Sequence, residues 1–320
     1  MANRYLIVAD PVKKLIPEFD LGVCLSRELL ARGLEVDYLD LLASDRHQDS
    51  AAYLGALPVQ PILAAPEGQE MFWVLGDQRS RPVDDYQVVL QRKDPPVDEI
   101  FVEYHRHFEA APEHIVQINR PPQSYTLCEH TAALDFPEYA APTEVCGSLE
   151  ELITAVRALD GEVVAKPMNT YCGIGVTFFS HDEPEEHLKT YWRQWQPEVV
   201  VQPFLKEIEN SGDLRILTIN DVVLGSVLRV PKEGSRLANL HQGASSTALA
   251  PTGHQLRACH DVAAALNPQG LYLLGLDFIG EYLTEINFTS PTTIVQVNQV
   301  NNIRADKVLI DELEKMVARS

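Results

Sequence analysis

The segment from residue 271 to residue 292 constrains the fold most strongly, because its apolar run is broken at Gly280 and carries polar ligand-type residues within it. Such a run with a central glycine predicts a β-hairpin. Asp277 precedes the turn, and Glu285 and Asn287 follow it. A three-residue turn would place Asp277 opposite Glu285, whereas a two-residue turn would place the two side chains on opposite faces.

Glu285 and Asn287 are two residues apart, so their side chains share one face of the predicted strand. Two carboxylates and an amide oxygen suit a hard ion such as Mg²⁺, which usually also binds substrate phosphates. The alternative is a polar hairpin edge that faces solvent. The apolar flanks of Asp277 favour the metal site over that alternative.

Composition limits the partners that a chain of this kind can have. The 320 residues carry a formal net charge of −20, which argues against nucleic acid and anionic membrane surfaces as partners. The apolar run at residues 5–9 is too short for a signal peptide, and no stretch approaches the roughly 18 apolar residues of a membrane span. Five scattered cysteines indicate a reducing cytoplasm and no zinc site.

Alternating strand and helix patterns in the first third predict a doubly wound parallel sheet. A helix is expected at residues 19–32, and the region 43–67, with its prolines, is expected to be a loop. The predicted strands lie at residues 5–9, 34–39, 86–91 and 114–118. The sequence Asn119-Arg-Pro-Pro122 interrupts the pattern and predicts a first domain boundary.

The remainder of the chain predicts a second α/β unit and then a strand-rich unit that ends in the hairpin. The expected helices lie at 148–159 and 183–195, and the expected strands at 162–166, 176–179, 198–202, 214–219 and 222–230. The long polar segment 231–251 is predicted to be a loop that can act as a lid. The predicted domains are an N-terminal α/β lobe (1–122), a small lobe (123–202) and a C-terminal lobe with the metal site (203–320).

Two strand ends suggest a nucleotide site. Lys166 follows a buried strand and precedes a loop with two glycines, a position from which a lysine can hold phosphates. The alternative is a lysine that extends to solvent beside a turn. Gln202 ends an apolar strand just before Pro203, where backbone groups could line an adenine pocket. A plain buried strand end is the alternative there.

Three arginines in otherwise apolar contexts suggest an anion site in this acidic chain: Arg92, Arg215 and Arg229. Arginine is suited to bidentate recognition of a carboxylate. Structural ion pairing with the abundant acids is the alternative. Ser290 and Thr292 follow the hairpin, and their hydroxyl groups could bind a substrate carboxylate or simply cap the next helix.

Taken together, these motifs resemble the bacterial glutathione synthetases, which are ATP-grasp ligases, along essentially the whole chain. The matching segments are QRKDPP (91–96), NRPPQS (119–124), AKP (165–167), VQPFL (201–205), GDLR (212–215), LRVP (228–231), ANLHQG (238–243) and LGLDFIGEYLTEINFTSPT (274–292). The resemblance implies an α/β and α+β fold, in which an N-terminal doubly wound lobe precedes an ATP-grasp region whose two lobes enclose ATP.

The resemblance also implies a reaction and a set of roles. ATP would phosphorylate the cysteinyl carboxylate of γ-glutamylcysteine, and the amine of glycine would attack the acyl phosphate to give glutathione. The implied protein is a cytoplasmic homo-oligomer with small-molecule substrates. The matching motifs imply that Lys166, Gln202, Leu205 and Asn239 bind ATP. They imply that Asp277, Glu285 and Asn287 bind Mg²⁺, with Mn²⁺ as an alternative. The peptide would be bound by Arg92, Ser290 and Thr292, and Arg215 and Arg229 would be catalytic.

The chain departs from the family pattern in the predicted lid, where Gly243-Ala-Ser-Ser246 stands in place of paired glycines, and at two places in the phosphate-binding region. Thr131 stands where the family usually has a lysine that touches ATP phosphates, and loop 169–173 replaces a DGMGG-like sequence. Two alternatives therefore stay open beside glutathione synthesis, namely an ATP-grasp ligase with another donor or acceptor and a non-catalytic ATP-binding homologue. The intact metal ligands argue against the last alternative, and the two departures argue for it.

Overall fold

The computed structural model describes residues 3–45, 47–68, 71–168, 170, 173–240 and 243–320. The N-terminal region forms a mixed sheet of β1 (Arg4–Ala9), β2 (Glu35–Asp40), β3 (Leu57–Ala64), β4 (Val74–Leu75), β5 (Arg79–Arg81), β6 (Val88–Arg92) and β7 (Val116–Ile118). The strand order is β4-β3-β2-β1-β6-β7, with β5 paired to β3. The strands β2, β1, β6 and β7 are parallel, as predicted, and β3, β4 and β5 add an antiparallel extension.

Helices cover both faces of this sheet, and the sequence of β1 shows why. Ile7 packs in one core with Leu25 of α1 (Leu21–Ala31), whereas Val8 packs in another core with Phe108 of α3 (Glu99–Glu109). Successive residues of a strand point to opposite faces, so a strand that is covered on both sides is apolar throughout. The continuous apolar run at residues 5–9 therefore confirms the doubly wound arrangement.

The prediction that residues 43–67 form a loop is wrong. Asp49 caps a short helix, α2 (Ser50–Gly55), by accepting hydrogen bonds from two backbone N–H groups, and β3 follows directly. The prolines of β3 have no N–H group to donate to a neighbouring strand. The strand tolerates them because it pairs with β2 and with β5 over only a few residues each. Leu57, Val59 and Ile62 are buried, so side-chain burial stabilises the strand despite its prolines.

A buried histidine in α3 gives the stability of the fold a pH dependence. His105 is 1% exposed, its Nδ1 donates to the backbone oxygen of Phe101, and its ring stacks on the Phe101 ring at 3.9 Å. Burial lowers the pKa of His105 to about 4, against an ordinary value of about 6.5. Between these values the unfolded chain binds more protons than the folded one, so the free energy of unfolding falls as the pH falls from about 6.5 to about 4.

We expect this histidine to lower the free energy of unfolding by about 3 kcal/mol as the pH falls over that range, since each pKa unit corresponds to about 1.4 kcal/mol. Urea unfolding of the wild type and of His105→Phe at pH values between 4 and 7 measures the contribution. The variant should show a shallower acid-side decline. Parallel curves for the two proteins would contradict the assignment.

The middle of the chain forms a second, antiparallel sheet with its own core. After α4 (Gln123–Thr126), the strands β8 (Glu144–Cys146), β9 (Glu162–Pro167), β10 (Thr177–Ser180) and β11 (Val199–Pro203) pair in the order β10-β9-β11-β8. The predicted helices are confirmed as α5 (Leu149–Ala158) and α6 (Glu185–Trp195). The side chain of Ser148 caps α5 by accepting from the N–H of Glu151.

The third sheet carries the predicted hairpin. After α7 (Glu207–Ser211), its strands are β12 (Asp213–Ile219), β13 (Val222–Val230), β14 (Ser245–Thr247), β15 (Leu273–Ile279) and β16 (Tyr282–Asn287), in the order β14-β13-β12-β15-β16. The region 231–251, predicted to be a loop, contains β14, which pairs with the end of β13. Helices α8 (Gly253–Leu266), α9 (Ile294–Asn301) and α10 (Ala305–Val317) complete the chain.

The first and third sheets are joined through a common core and a buried asparagine. The core that contains Ile7 of β1 also contains Leu217 of β12 and Leu309 of α10. The side chain of Asn119 donates to the backbone oxygens of Leu273 and Phe288 at 2.8 and 2.6 Å, and its oxygen accepts from two further N–H groups. The residue that marks the predicted boundary therefore binds the N-terminal region to both strands of the hairpin.

Across the part of the chain that the structure describes, no helix has both the length and the apolar character that crossing a bilayer requires.

Candidate active site

A cavity of about 500 Å³ is bounded by residues from all three sheet regions. Every predicted site residue except Arg92 is among its lining residues. One wall comes from the second sheet and includes Lys166 and Gln202, and the opposite wall comes from the hairpin side of the third sheet. The structure thus brings together residues from Lys14 to Thr293, which are separated by most of the length of the chain.

The hairpin pairs Asp277 with Glu285 although its turn has only two residues, Gly280–Glu281. The prediction that a two-residue turn would separate the two acids is wrong, because the ladder contains a bulge at Thr284. The hydroxyl of Thr284 donates to the backbone oxygen of Asp277 at 3.1 Å. The extra residue lets Leu283 remain in the core while Glu285 faces the cavity.

Asp277 is buried, and two arginines compensate its charge. Arg215 donates to both carboxylate oxygens, from Nε at 2.7 Å and from a terminal nitrogen at 2.6 Å, and Arg229 lies 2.9 Å from Oδ2. Burial alone would raise the pKa of Asp277, but the two guanidinium groups outweigh it and hold this pKa below its ordinary value. Arg229 also pairs with Asp213 at the start of β12.

Glu285 has a different set of cationic neighbours. His130 Nδ1 lies 3.0 Å from Glu285 Oε1, and Lys166 on the opposite wall acts on the same carboxylate. Burial raises the pKa of Glu285, but His130 and Lys166 more than offset this and hold it well below its ordinary value. Burial likewise lowers the pKa of His130, and the neighbouring carboxylate reverses the shift, so that the net change is upward.

The donor set fits a divalent ion that is completed by phosphate. The side chain of Asn287 lies 3.2 Å from Asp277 Oδ2, so the two carboxylates and the amide converge on one side of the hairpin. Among the described residues, no group of three or more His, Cys, Asp or Glu side chains is placed to hold a metal by itself. A site of this type needs oxygens from a bound nucleotide, which is the usual mode of Mg²⁺ in phosphoryl transfer.

The second-sheet wall combines an apolar pocket with a lysine. Val164 and Lys166 are two residues apart on β9 and both line the cavity, as residues on one strand face should. Phe178, Phe204 and Leu205 continue the apolar surface. Gln202 is buried, and its amide donates to the hydroxyl of Thr143 at 2.8 Å, which fixes the strand end at the pocket. This wall has the character of a site for a planar base next to a charged group.

Arg236 joins the segment after β13 to this wall. Its guanidinium stacks on the rings of Phe178 and Phe204, at 4.4 and 3.9 Å from their centroids, and pairs with Glu162 of β9. Asn239 follows on the same segment and also lines the cavity. Residues 241 and 242 of the ANLHQG motif lie outside the described residues, as do residues 169, 171 and 172 of the loop after Lys166.

The N-terminal region closes one end of the cavity with acids. Asp20 and Asp94 line it, and Ser290 donates to Asp94 at 2.9 Å. Arg92 does not reach the lining; it is 2% exposed, and its Nε has no hydrogen-bond partner among the described residues. Burial lowers the pKa of Arg92, and Asp20 and Asp94 act in the opposite direction. The predicted peptide-binding arginine therefore lies behind the two acids that face the cavity.

Sequence reasoning did not predict Glu129, His130 or Arg236 as site residues, although all three line the cavity. Glu129 accepts hydrogen bonds from the N–H groups of Phe288 and Thr289 at 2.7 and 2.6 Å. These contacts join positions about 160 residues apart in sequence, and no local pattern at residues 129–131 predicts such contacts. The only signal was the departure from the family sequence in this short segment.

Comparison with known proteins agrees with this geometry. Two family models match the chain: "Prokaryotic glutathione synthetase, N-terminal domain" over residues 4–124 and "Prokaryotic glutathione synthetase, ATP-grasp domain" over residues 129–302. The glutathione synthetase of Parasynechococcus marenigrum is 32% identical, covering 98% of this chain and all of that protein. The glutathione synthetase of Prochlorococcus marinus strain MIT 9313 is 33% identical, covering 96% and 97% of the two chains.

Solved structures show the same fold at low sequence identity. D-cycloserine synthetase DcsG superimposes with a TM-score of 0.67 at 14% identity, covering 97% of this chain and 99% of that one. D-alanyl-alanine synthetase A from Vibrio cholerae gives a TM-score of 0.65 at 12% identity, covering 100% and 99%.

The fold and the cavity define the class of ATP-grasp carboxylate–amine ligases, which use ATP with a divalent metal ion. Within that class, the two family models cover nearly the whole chain, and the similar relatives match it end to end. The chain belongs to the prokaryotic glutathione synthetase family.

Proposed function

We propose that this protein forms glutathione by joining γ-glutamylcysteine to glycine at the expense of ATP. The terminal phosphoryl group of ATP passes to the cysteinyl carboxylate, the amine of glycine attacks the acyl carbon, and inorganic phosphate leaves. The observation that carries the proposal is that, in a chain of this family, the metal-ligand set and the cationic side chains line one cavity.

The second-sheet wall is proposed to hold ATP. Lys166 neutralises the phosphates, and the apolar surface beside Gln202 and Leu205 takes the adenine ring. Asn239 reaches the nucleotide from the segment after β13. Phosphoryl transfer depends on positioning and charge compensation more than on a side-chain base, and this wall supplies both.

The hairpin wall is proposed to hold the reacting groups. Asp277, Glu285 and Asn287 would hold Mg²⁺, with Mn²⁺ as an alternative ion, and the bound ion would supply charge compensation for the phosphates. Arg215 and Arg229, which already bracket Asp277, stabilise the negative charge that develops at the acyl centre. This arrangement places charge compensation on both sides of the carboxylate that is activated.

The peptide is proposed to lie toward the N-terminal end of the cavity. Ser290 and Thr292 face it there, next to Asp20 and Asp94. Arg92 supports this end through the two acids, because it lies behind them. An acidic subsite of this kind suits the α-ammonium group of a γ-glutamyl residue.

The domain boundaries at residues 122 and 202 remain predictions, and so does the setting of the protein. We propose a cytoplasmic homo-oligomer that acts on small molecules and binds neither nucleic acid nor anionic membrane, since the net charge of −20 opposes both. Light scattering at several protein concentrations measures the oligomeric state.

The test of the function is ADP release by the purified protein with ATP and Mg²⁺. We expect release that requires both γ-glutamylcysteine and glycine, with glutathione identified by mass spectrometry. Release that requires a different amine or a different carboxylate would favour a ligase of another specificity. Nucleotide binding without any release would favour the non-catalytic alternative and contradict the proposal.

A further inference from the structure

His130 lies between two parts of the cavity that are far apart in sequence. Its Nδ1 forms an ion-pair contact with Glu285 Oε1 at 3.0 Å that lacks the alignment of a hydrogen bond, and its Nε2 donates to the backbone oxygen of Thr170 at 3.0 Å. The side chain is 12% exposed and lines the cavity. One imidazole therefore contacts both a proposed metal ligand and the loop that follows Lys166.

The two contacts reach opposite walls. Glu285 belongs to β16 in the third sheet, whereas Thr170 follows β9 in the second sheet. Thr170 is itself fixed to its strand end, because its hydroxyl donates to the backbone oxygen of Pro167 at 3.1 Å. The ring of His130 thus spans from the hairpin to the end of the strand that presents Lys166.

The backbone before His130 is attached to the hairpin. The carboxylate of Glu129 accepts from the N–H groups of Phe288 and Thr289, and the backbone oxygen of Glu129 accepts from Ile286 at 3.3 Å. These bonds flank Asn287 on the same strand. The position of His130 is therefore set by the strand that carries Glu285, which makes the contact between them a built feature of the cavity.

We propose that His130 is a positioning residue that orients Glu285 for the metal ion and couples it to Thr170, beside the strand end that presents Lys166. The proposal rests on the proposed function for the role of Glu285. Ligating carboxylates are commonly held by hydrogen-bond donors outside the metal shell, and loss of such a partner typically lowers metal affinity or activity by about 10- to 100-fold. His130 does not touch the reacting atoms in this role.

The test separates the two nitrogens. An asparagine amide can place an N–H group near the position of Nδ1, and a glutamine amide can replace the donor at Nε2. We therefore compare His130→Asn, His130→Gln and His130→Ala with the wild type. The readout is ADP affinity by calorimetry, once with Mg²⁺ and once with a chelator, so that the gain in affinity due to Mg²⁺ is measured directly.

We expect His130→Ala and His130→Gln to reduce the Mg²⁺-dependent gain in ADP affinity by about 10- to 100-fold. His130→Asn should retain most of that gain, and ADP affinity in chelator should change little in any variant. The KM for MgATP should rise in the first two variants, whereas the KM for γ-glutamylcysteine should not. His187→Ala is the matched control, since His187 lies on α6, pairs with Glu183 just before that helix, and is not among the lining residues of the cavity.

An unchanged Mg²⁺-dependent gain in folded His130→Ala overturns the proposal, as does an equal loss in His130→Asn and His130→Gln. A loss of ADP affinity that is the same with and without Mg²⁺ also overturns it. Circular dichroism confirms that each variant is folded. Absence of Mg²⁺-dependent ADP binding in the wild type contradicts the proposed function itself, so the two failures are distinguishable.

Discussion

Glu285→Gln is expected to lower the rate of ligation by about 10²- to 10³-fold while the protein remains folded. The substitution keeps the shape of the side chain but removes a negative charge from the proposed metal site and from the pairing with His130. Losing one charge-stabilising group in a desolvated site typically costs about 3 to 4 kcal/mol of transition-state stabilisation. The measurement is kcat for ADP release at several Mg²⁺ concentrations.

Glu281→Gln provides the control for that experiment, because Glu281 lies exposed in the turn of the same hairpin. Its rate should match the wild type. If Glu285→Gln kept a near-normal rate and an unchanged Mg²⁺ dependence, Glu285 would have no part in metal binding.

Arg229→Ala is expected to lower the free energy of unfolding by about 3 to 5 kcal/mol, the usual cost of removing one partner from a buried ion pair. Arg229 is 8% exposed and contacts both Asp213 and Asp277, so its loss leaves the buried Asp277 and the partly buried Asp213 with less charge compensation. Denaturant unfolding near pH 7 measures the change. For the folded fraction, we expect the KM for γ-glutamylcysteine to rise more than the KM for ATP, since Arg229 is proposed to serve the acyl end.

Two further variants make that result specific. Arg193→Ala removes an arginine whose side chain is 71% exposed and whose ion pair lies on the surface of α6, so it should change stability by less than about 1 kcal/mol. Adding Asp213→Ala to Arg229→Ala should recover part of the lost stability. The second substitution removes one of the two carboxylates whose charge Arg229 compensates. A double variant less stable than Arg229→Ala by the full cost of Asp213→Ala would show that the pair is not coupled.

The sequence predicted which polar residues of the hairpin line the cavity, because the apolar flanks of the hairpin leave few reasons for acids there, and their role as metal ligands stays a prediction. The register could not be predicted fully. The contact between the hydroxyl of Thr284 and the backbone of Asp277 accompanies a bulge that no residue type in the segment requires. The length of the turn was therefore not enough to predict the register. Asp277 pairs with Glu285 across a two-residue turn, an arrangement that the prediction had excluded.

The fold shows the same division between local and distant information. Strands with continuous apolar runs, such as β1 and β11, were predictable because both their faces are buried. The Pro-rich strand β3 was missed because its stability comes from buried side chains and not from a regular ladder. Glu129 and His130 were missed as site residues because their partners lie in other sheets, where sequence periodicity carries no information.

The separate core of the second sheet determines how the cavity can open. Among the described residues, the buried members of that core lie between 146 and 201, whereas the first and third sheets share one core and are joined by Asn119. We therefore expect a ligand to be admitted by a rigid-body rotation of the second sheet. Such a rotation would move Lys166 and Gln202 away from the third sheet. Asp277 and Glu285 would keep their positions relative to the N-terminal region. The peptide end of the cavity would then keep its shape through each catalytic cycle, and the nucleotide side would open and re-form.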